Sequence, residues 1–593
     1  MRKKLRETVA EAVEILYGHK PDAKLIQVQR TKKEFTGDLT VVIFPVVKYS
    51  KKKPEDTAND IGVYLKQKIE TLSTYNVIKG FLNLSFSREF WIERLNEISK
   101  NAGKPLLPEE KKRVLIEFSS PNTNKPLHLG HIRNNLLGDS IARILEANGH
   151  EVNRVNLVND RGIHICKSMQ AYLQFDPDGS PEKAGMKGDK YVGDLYVKFE
   201  NAFKQEVESL IEKGLSEKDA KEQSPIMNAA RDLLKKWEEG DDEVMALWEK
   251  MNNWVYLGFD KTYEKMDIRF DKTYYESETY KIGKQIVLHG LEKGVFYRKE
   301  DDSVWADLTD EKLDEKILLR KDGTSVYMTQ DIGTAAERYK EHKPDEMIYV
   351  VGNEQNYHFQ VLKALIKKLD YPWADIINHM SYGMVELPEG KMKSREGKVV
   401  DADDLIDAMV NTSREMSEEL GKIDGMPEEN RDKVIFMIAM GALKYFILKV
   451  APKKNMVFNP RESIDFNGNT GPFIQYTHAR IRSIVRKASA MNISVPEMVS
   501  EENKTNDKEL ELIKSIDHYE MVLREAGKEL DPGLIANYAF ELAKEFNQYY
   551  HDYSILKAGN GNILQFRLML ADKVAATLKE AMYTLGIEVP EKM

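Results

Sequence analysis

At 593 residues the chain exceeds what one hydrophobic core serves and implies about three or four domains. Its 41% hydrophobic and 31% charged content excludes wholesale disorder, and no long uncharged apolar run marks a membrane span. A net charge of −9 argues against a protein wrapped in nucleic acid on every side, and a single cysteine, Cys166, excludes an internal disulfide or a multi-cysteine zinc site and fits a reducing, cytoplasmic setting.

The first segment, MRKKLRETVAEAVEILYG, sets Glu7, Glu11 and Glu14 among Leu5, Val9, Val13 and Leu16, the pattern of an amphipathic helix and not of a signal or transit peptide. The first hundred or so residues alternate helical and strand-like stretches, with a lysine cluster at Lys48, Lys51, Lys52 and Lys53. A polar linker with Gly103, Pro105 and Pro108 ends this part, so an α+β domain is expected over 1–107.

VLIEF, residues 114–118, then has the continuous apolar character of a buried parallel strand. NTNKPLHLGHIRNNLLGDS follows from Asn122, and Ile132, Leu136, Leu137, Ile141, Ile144 and Leu145 recur at helical spacing up to Asn148 and Gly149. A second strand follows at EVNRVNLVND. This strand, helix, strand order predicts a doubly wound, Rossmann-like parallel sheet over 108–400, with ligands at the carboxyl ends of its strands. Residues 175–255 read as a charged helical insertion without chemistry of its own. From 401 to 593 long amphipathic runs such as YAFELAKEFNQYYHDY predict an all-α helical bundle.

His128 and His131 flank Gly130 where strand gives way to helix. A helix N-terminus offers free backbone donors and partial positive charge, so phosphate can bind there. The histidines would hydrogen-bond phosphate oxygens as charge grows on them, Lys125 adds a cation, and Gly130 leaves room for a nucleotide base. An isolated H-x-x-H pair also fits a metal pair or two unrelated polar residues; the strand-to-helix placement favours phosphate, and no third metal ligand stands nearby. PEGKMKSREGKVV sets Lys391, Lys393 and Arg395 in a glycine-bounded loop whose cations could stabilise a leaving pyrophosphate.

HLGH and KMKSR together resemble the two signatures of class I aminoacyl-tRNA synthetases. IEFSSPNTNKPLHLGH, DGTSVYMTQD, IYVVGNEQNYHF, NTGPFIQYTHARIRSI and the ending LGIEVPEKM resemble the arginyl family more closely, from about residue 110 to the C-terminus, with a weaker likeness in GFLNLSF. Ser394 stands where the second lysine of the loop signature would be; arginyl enzymes commonly lack that lysine, and Lys125 is thought to compensate. The resemblance implies a ligase using L-arginine, ATP with Mg²⁺ on its phosphates, and tRNA(Arg), which must be bound before activation is efficient. His128, Gly130, His131, His358, Lys391 and Ser394 would face ATP, with His128, His131, Lys125, Lys391 and Lys393 catalytic. Tyr327 and Asp331 would hold the substrate guanidinium, and Glu117, Asn122 and Gln355 its polar ends. An acidic pocket suits a guanidinium, whose planar donors pair best with carboxylates, although Asp331 also suits a helix N-cap.

In the last third Tyr476, Arg480 and Arg482 would meet anticodon bases by stacking and charge, and Phe81 and Asn83 would meet the outer corner of the tRNA. A monomer is expected, without a protein-held metal or a membrane partner. Two alternatives stay open: another class I synthetase, against which the absence of zinc cysteines and of a cationic pocket speaks, and an H-x-G-H nucleotidyltransferase acting on a small molecule, which has no need of a helical third.

Overall fold

A computed structural model describes residues 2–32, 34–101, 104–388, 400–421, 426–500, 503, 505–558 and 561–593. The N-terminal part is a four-stranded antiparallel sheet in the order β1-β2-β4-β3, formed by β1 (Gln27–Arg30), β2 (Leu39–Val42), β3 (Leu72–Ile78) and β4 (Phe81–Phe86). Lys79 and Gly80 join β3 to β4, both with positive φ (+49° and +76°), which suits the two-residue hairpin turn favoured by strand twist. The Arg2–Tyr17 helix buries Leu5, Val9 and Val13 against this sheet as its periodicity predicts, while Leu16 stays exposed.

The central sheet is entirely parallel, in the order β12-β11-β5-β6-β7: β5 (Arg113–Glu117), β6 (Glu151–Val158), β7 (Lys272–Tyr275), β11 (Glu346–Gly352) and β12 (Ile377–Tyr382). A small antiparallel sheet of β8 (Tyr297–Arg298), β9 (Val304–Ala306) and β10 (Lys316–Leu319) lies between β7 and β11 in the chain. The chain builds β5, β6 and β7 outward in one direction and then returns to place β11 on the other side of β5. This reversal creates a crevice at the carboxyl ends of β5 and β11, where doubly wound sheets bind ligands. Val114, Leu115 and Ile116 are buried because helices cover both faces, which explains an apolar run in place of alternation.

Six helices, Ile163–Phe175, Pro181–Ala184, Gly188–Glu212, Glu217–Gln223, Pro225–Glu239 and Asp242–Lys265, fill the connection from β6 to β7. Past residue 400, among the described residues, the regular elements are helices except for β14 (Met456–Val457), which pairs in parallel with β13 (Val385–Glu386). Residues as far as Val457 are therefore still bonded to the strand that ends the catalytic body. The helical third is seated on the back of the Leu129–Ala147 helix: Ser140 Oγ donates to the Thr584 carbonyl at 2.9 Å and Asn148 Nδ2 to that of Leu523 at 2.8 Å. One continuous core runs from Ile116 and Ile132 to Leu578 and Ile587.

Candidate active site

β5 ends at Glu117 and the chain turns through Ser119 and Ser120, both at positive φ (+77° and +47°), an unfavourable conformation for serine that neighbouring amides hold in place. Asn134 Oδ1 accepts the Ser119 N–H at 2.5 Å and Asn156 Oδ1 that of Ser120 at 3.0 Å. Asn134 Nδ2 meanwhile donates to the Val350 carbonyl at 2.7 Å, tying the turn to β11 across the crevice. Thr123 N–H donates to the Asn159 carbonyl at 3.1 Å, so the signature segment is also laced to the end of β6.

His128 is the N-cap of the Leu129–Ala147 helix: its Nδ1 accepts the Gly130 N–H at 3.1 Å, and His131 Nδ1 accepts the His128 N–H at 3.1 Å. Each ring uses Nδ1 as an acceptor, so in the neutral state the proton is assigned to Nε2. Burial, with Lys125 nearby, lowers His128 to about 4, and burial with His128 and Lys125 holds His131 well below the ordinary imidazole value. The pair, with ring centroids 3.9 Å apart, therefore presents two neutral N–H donors at a helix N-terminus. Gly130 has a reason that the sequence did not show: a Cβ there would lie 2.9 Å from His128 Cε1. Burial also lowers Lys125, which with Asn122, His128, Lys167, Lys190 and Glu200 lines a cavity of about 640 Å³.

On the neighbouring side, Glu117 forms an ion pair with Arg338, whose side chain is fully buried between the Tyr274 and Tyr349 rings, and accepts a hydrogen bond from Ser120 Oγ at 2.9 Å. Tyr327, 68% exposed, begins the Tyr327–His342 helix, with Asp331 one turn along. Asp331 is no helix cap, since Val326 holds that position; it pairs with His358 at 2.5 Å. His358, expected on the ATP side, is thus engaged with Asp331. Gln355 is exposed at the end of a 3₁₀ turn after β11. Lys391, Lys393 and Ser394 lie outside the described residues.

Residues 95–459 match the family described as tRNA synthetases class I (R), catalytic domain, residues 3–86 the arginyl tRNA synthetase N terminal domain and residues 474–593 the DALR anticodon binding domain. The chain is 56% identical to a Bacteroides fragilis arginine–tRNA ligase over 100% of this chain and 99% of that one, and 55% identical to one from Phocaeicola vulgatus over 100% of both. Among solved structures, Thermus thermophilus arginyl-tRNA synthetase superposes with a TM-score of 0.82 at 26% identity, covering 100% of both chains. The chain belongs to the arginyl family of class I tRNA synthetases.

Within this synthetase the Gly471–Ala490 helix carries Tyr476 and Arg480, whose guanidinium sits over the Tyr476 ring at 4.7 Å and donates to Asn547 Oδ1 at 2.6 Å. Arg482 points elsewhere, into Asp572 (2.7 Å) and Glu591 (3.0 Å), so its charge is neutralised within the fold. Phe81 is half-buried and edge-on to the half-exposed Phe44, with ring centroids 5.6 Å apart. Asn83 offers no surface: it is fully buried in β4, accepting from Thr40 Oγ1 and donating to Asn76 at 2.9 Å. Two residues along β4, it shares a face with Phe81, but Leu82, Asn83 and Leu84 are all buried, so both faces are covered at that point.

Sequence reasoning missed two carboxylates at the same sheet edge. Asp160 follows β6 and accepts from Ser277 Oγ (2.7 Å) and Tyr256 OH (3.0 Å). Glu276 follows β7, and burial, with Asp160 and Asp331 nearby, pushes it up to about 7 although Arg161 opposes the shift. Only the sheet order brings these residues beside Asp331.

Proposed function

We infer that this chain is an arginine–tRNA ligase that joins L-arginine to tRNA(Arg) in two steps at one site. The arginine carboxylate attacks the α-phosphorus of ATP, displacing pyrophosphate and giving arginyl-adenylate. A hydroxyl of the terminal tRNA ribose then attacks the activated carbonyl, and AMP leaves. The observation that supports this best is the pairing, on one sheet edge, of two neutral Nε2–H donors at a helix N-terminus with a cluster of acids at Asp331 and Glu276.

His128 and His131 donate to α-phosphate oxygens, where the helix terminus favours developing negative charge. Neutral donors keep this stabilisation without adding a mobile proton. Lys125, held at the mouth of the same turn, takes the role of the missing loop lysine, together with Lys391 and Lys393, while Ser394 and Gly130 border the nucleotide. Mg²⁺ carried on the ATP phosphates would supply further charge neutralisation on the leaving pyrophosphate, beside the cations Lys125, Lys167 and Lys190 that line the cavity.

Asp331 and Tyr327 receive the guanidinium, with Glu276 beside them, and His358 orients Asp331 through its hydrogen bond. Glu117, Asn122 and Gln355 hold the polar ends of the amino acid. The helical third takes the anticodon on Tyr476 and Arg480, and the N-terminal domain meets the tRNA corner through Phe81. The enzyme works as a monomer in the cytoplasm.

Charging tests the reading: labelled arginine should enter acid-insoluble tRNA(Arg) with ATP, and labelled lysine or glutamate should not. Incorporation of another amino acid in place of arginine would overturn the pocket assignment.

A further inference from the structure

The helical insertion was expected to decorate the sheet, yet it reaches the signature loop from two directions. Its Gly188–Glu212 helix lies so close to Lys125–Pro126 that a Cβ on Gly193 would come within 2.8 Å of Pro126 Cδ. Lys187, the residue before that helix, is mostly buried; its ammonium pairs with the Asp403 carboxylate, lies 3.1 Å from the fully buried Asp189 and donates to Thr262 Oγ1 at 2.5 Å. Lys265, from the last turn of the Asp242–Lys265 helix, reaches the other Asp403 oxygen at 3.0 Å, and Thr262 Oγ1 donates to the first at 2.9 Å. Burial pushes Asp403 up, but Lys187, Lys265 and Thr262 outweigh it and leave the carboxylate below its ordinary value.

Asp403 stands in the first turn of the Ala402–Glu419 helix, directly after two residues bonded to the signature. Ala402 N–H donates to the Leu127 carbonyl at 2.8 Å, Asp401 bridges to His128 in antiparallel fashion, and the Asp401 carboxylate caps the helix by accepting the Asp403 N–H at 2.8 Å. The route from insertion to imidazole is therefore short: Lys187 to Asp403, along the backbone to Asp401 and Ala402, and across to Leu127 and His128. Removing Lys187 leaves Asp403 with Lys265 alone and strips the fully buried Asp189 of its ammonium, so the carboxylates shift to recover compensation from Lys265 and water. That movement would carry the strand-like bridge behind His128 with it.

We propose that Lys187 and Asp403 are positioning residues, through which the insertion fixes the backbone of Leu127–His128 and aims the His128 donor at the reacting phosphorus. This rests on the reading of His128 as a phosphate donor. The insertion's Lys221–Glu217 pair is exposed and lies within one helix, away from Asp403.

The test is steady-state pyrophosphate exchange by the full chain with tRNA(Arg) present, comparing the parent with Lys187→Met, Asp403→Asn, Lys187→Arg and Lys221→Ala. Misplacement of a reacting group by a fraction of an ångström costs one to two powers of ten, so kcat should fall about tenfold or more in the first two. The KM for ATP should rise, the KM for arginine should stay within about twofold, Lys187→Arg should recover part of the loss and Lys221→Ala should match the parent. If Lys187→Met does not fold, Lys265→Met, at a more exposed position on the same carboxylate, should show a smaller fall in kcat with the same split. A folded Lys187→Met or Lys265→Met with parental kcat and KM overturns the proposal, and so does an equal deterioration toward ATP and arginine, which marks general loosening. A parent without arginine-dependent exchange overturns instead the reading of the site.

Discussion

The two imidazoles show how a local hydrogen-bond pattern sets chemistry. His128 and His131 each take a backbone N–H at Nδ1, and burial holds them neutral well below pH 7. Replacing His128 by Ala removes a donor aimed at growing charge, and kcat for exchange should fall roughly a hundredfold or more while the KM for arginine changes little. The pH dependence carries a sign. A histidine lowered to about 4 when folded binds its proton only in the unfolded chain between about 6.5 and 4, so its stabilisation is complete above about 6.5 and is lost as pH falls toward 4, up to about 3 kcal/mol. Urea unfolding of the parent should weaken across that window, and His128→Gln should weaken less; kcat in turn should show no titration near 6.5 that disappears in this variant. Glu117 carries a different liability, because Glu117→Ala strands the buried Arg338 guanidinium. A loss of about 3–5 kcal/mol in urea unfolding is expected, with part recovered in the double variant Glu117→Ala, Arg338→Met. Equal stability of Glu117→Ala and parent would show that the pair is not buried as described.

At the scale of elements, the strand, turn and helix carrying the signature form one unit in which each residue type has a mechanical reason. Gly130→Ala would press a methyl group onto the His128 ring and displace it, so kcat should fall at least about tenfold while the melting temperature changes by only a few degrees. Unchanged exchange kinetics would mean the ring tolerates the methyl. Much of this unit was legible in the sequence, since the apolar VLIEF run, the helical spacing from Ile132 to Leu145 and the H-x-G-H placement are local patterns. Asn134 was not, because nothing in its own segment shows that its amide joins Ser119 to Val350. Arg338 and Asp403 were invisible for the same reason: their partners, Glu117 and Lys187, are more than 200 residues away in the chain. Arg482 shows the converse, a cation expected to meet anticodon bases that folding pairs with Asp572 and Glu591.

Across the whole molecule, the N-terminal domain is fastened to the helical third by an apolar seam, in which Trp91, Ile92 and Leu95 share a core with Leu512, Ile513 and Ile516, and by charged side chains around it. Lys514 pairs with Asp38 at 2.7 Å, and Asp38 also accepts from Trp91 Nε1 and the Phe86 N–H; Arg94 reaches Asp517 at 2.6 Å. Asp38→Ala should therefore loosen the orientation of the N-terminal domain, raising the KM for tRNA several-fold in charging assays with the KM for arginine unchanged; a parental tRNA KM would assign that joint to stability alone. The broad architecture followed from composition and hydrophobic period, but the insertion's grip on the signature did not, since it depends on close approaches at Gly193 and Gly258 that only the packed helices create. The most direct measurement on the account as a whole is arginine-dependent exchange of labelled pyrophosphate into ATP, run with and without tRNA(Arg) and with lysine and glutamate as controls. The account predicts exchange with arginine alone among the three, efficient only when tRNA is present. Exchange driven by lysine or glutamate, or none under any condition, would contradict it.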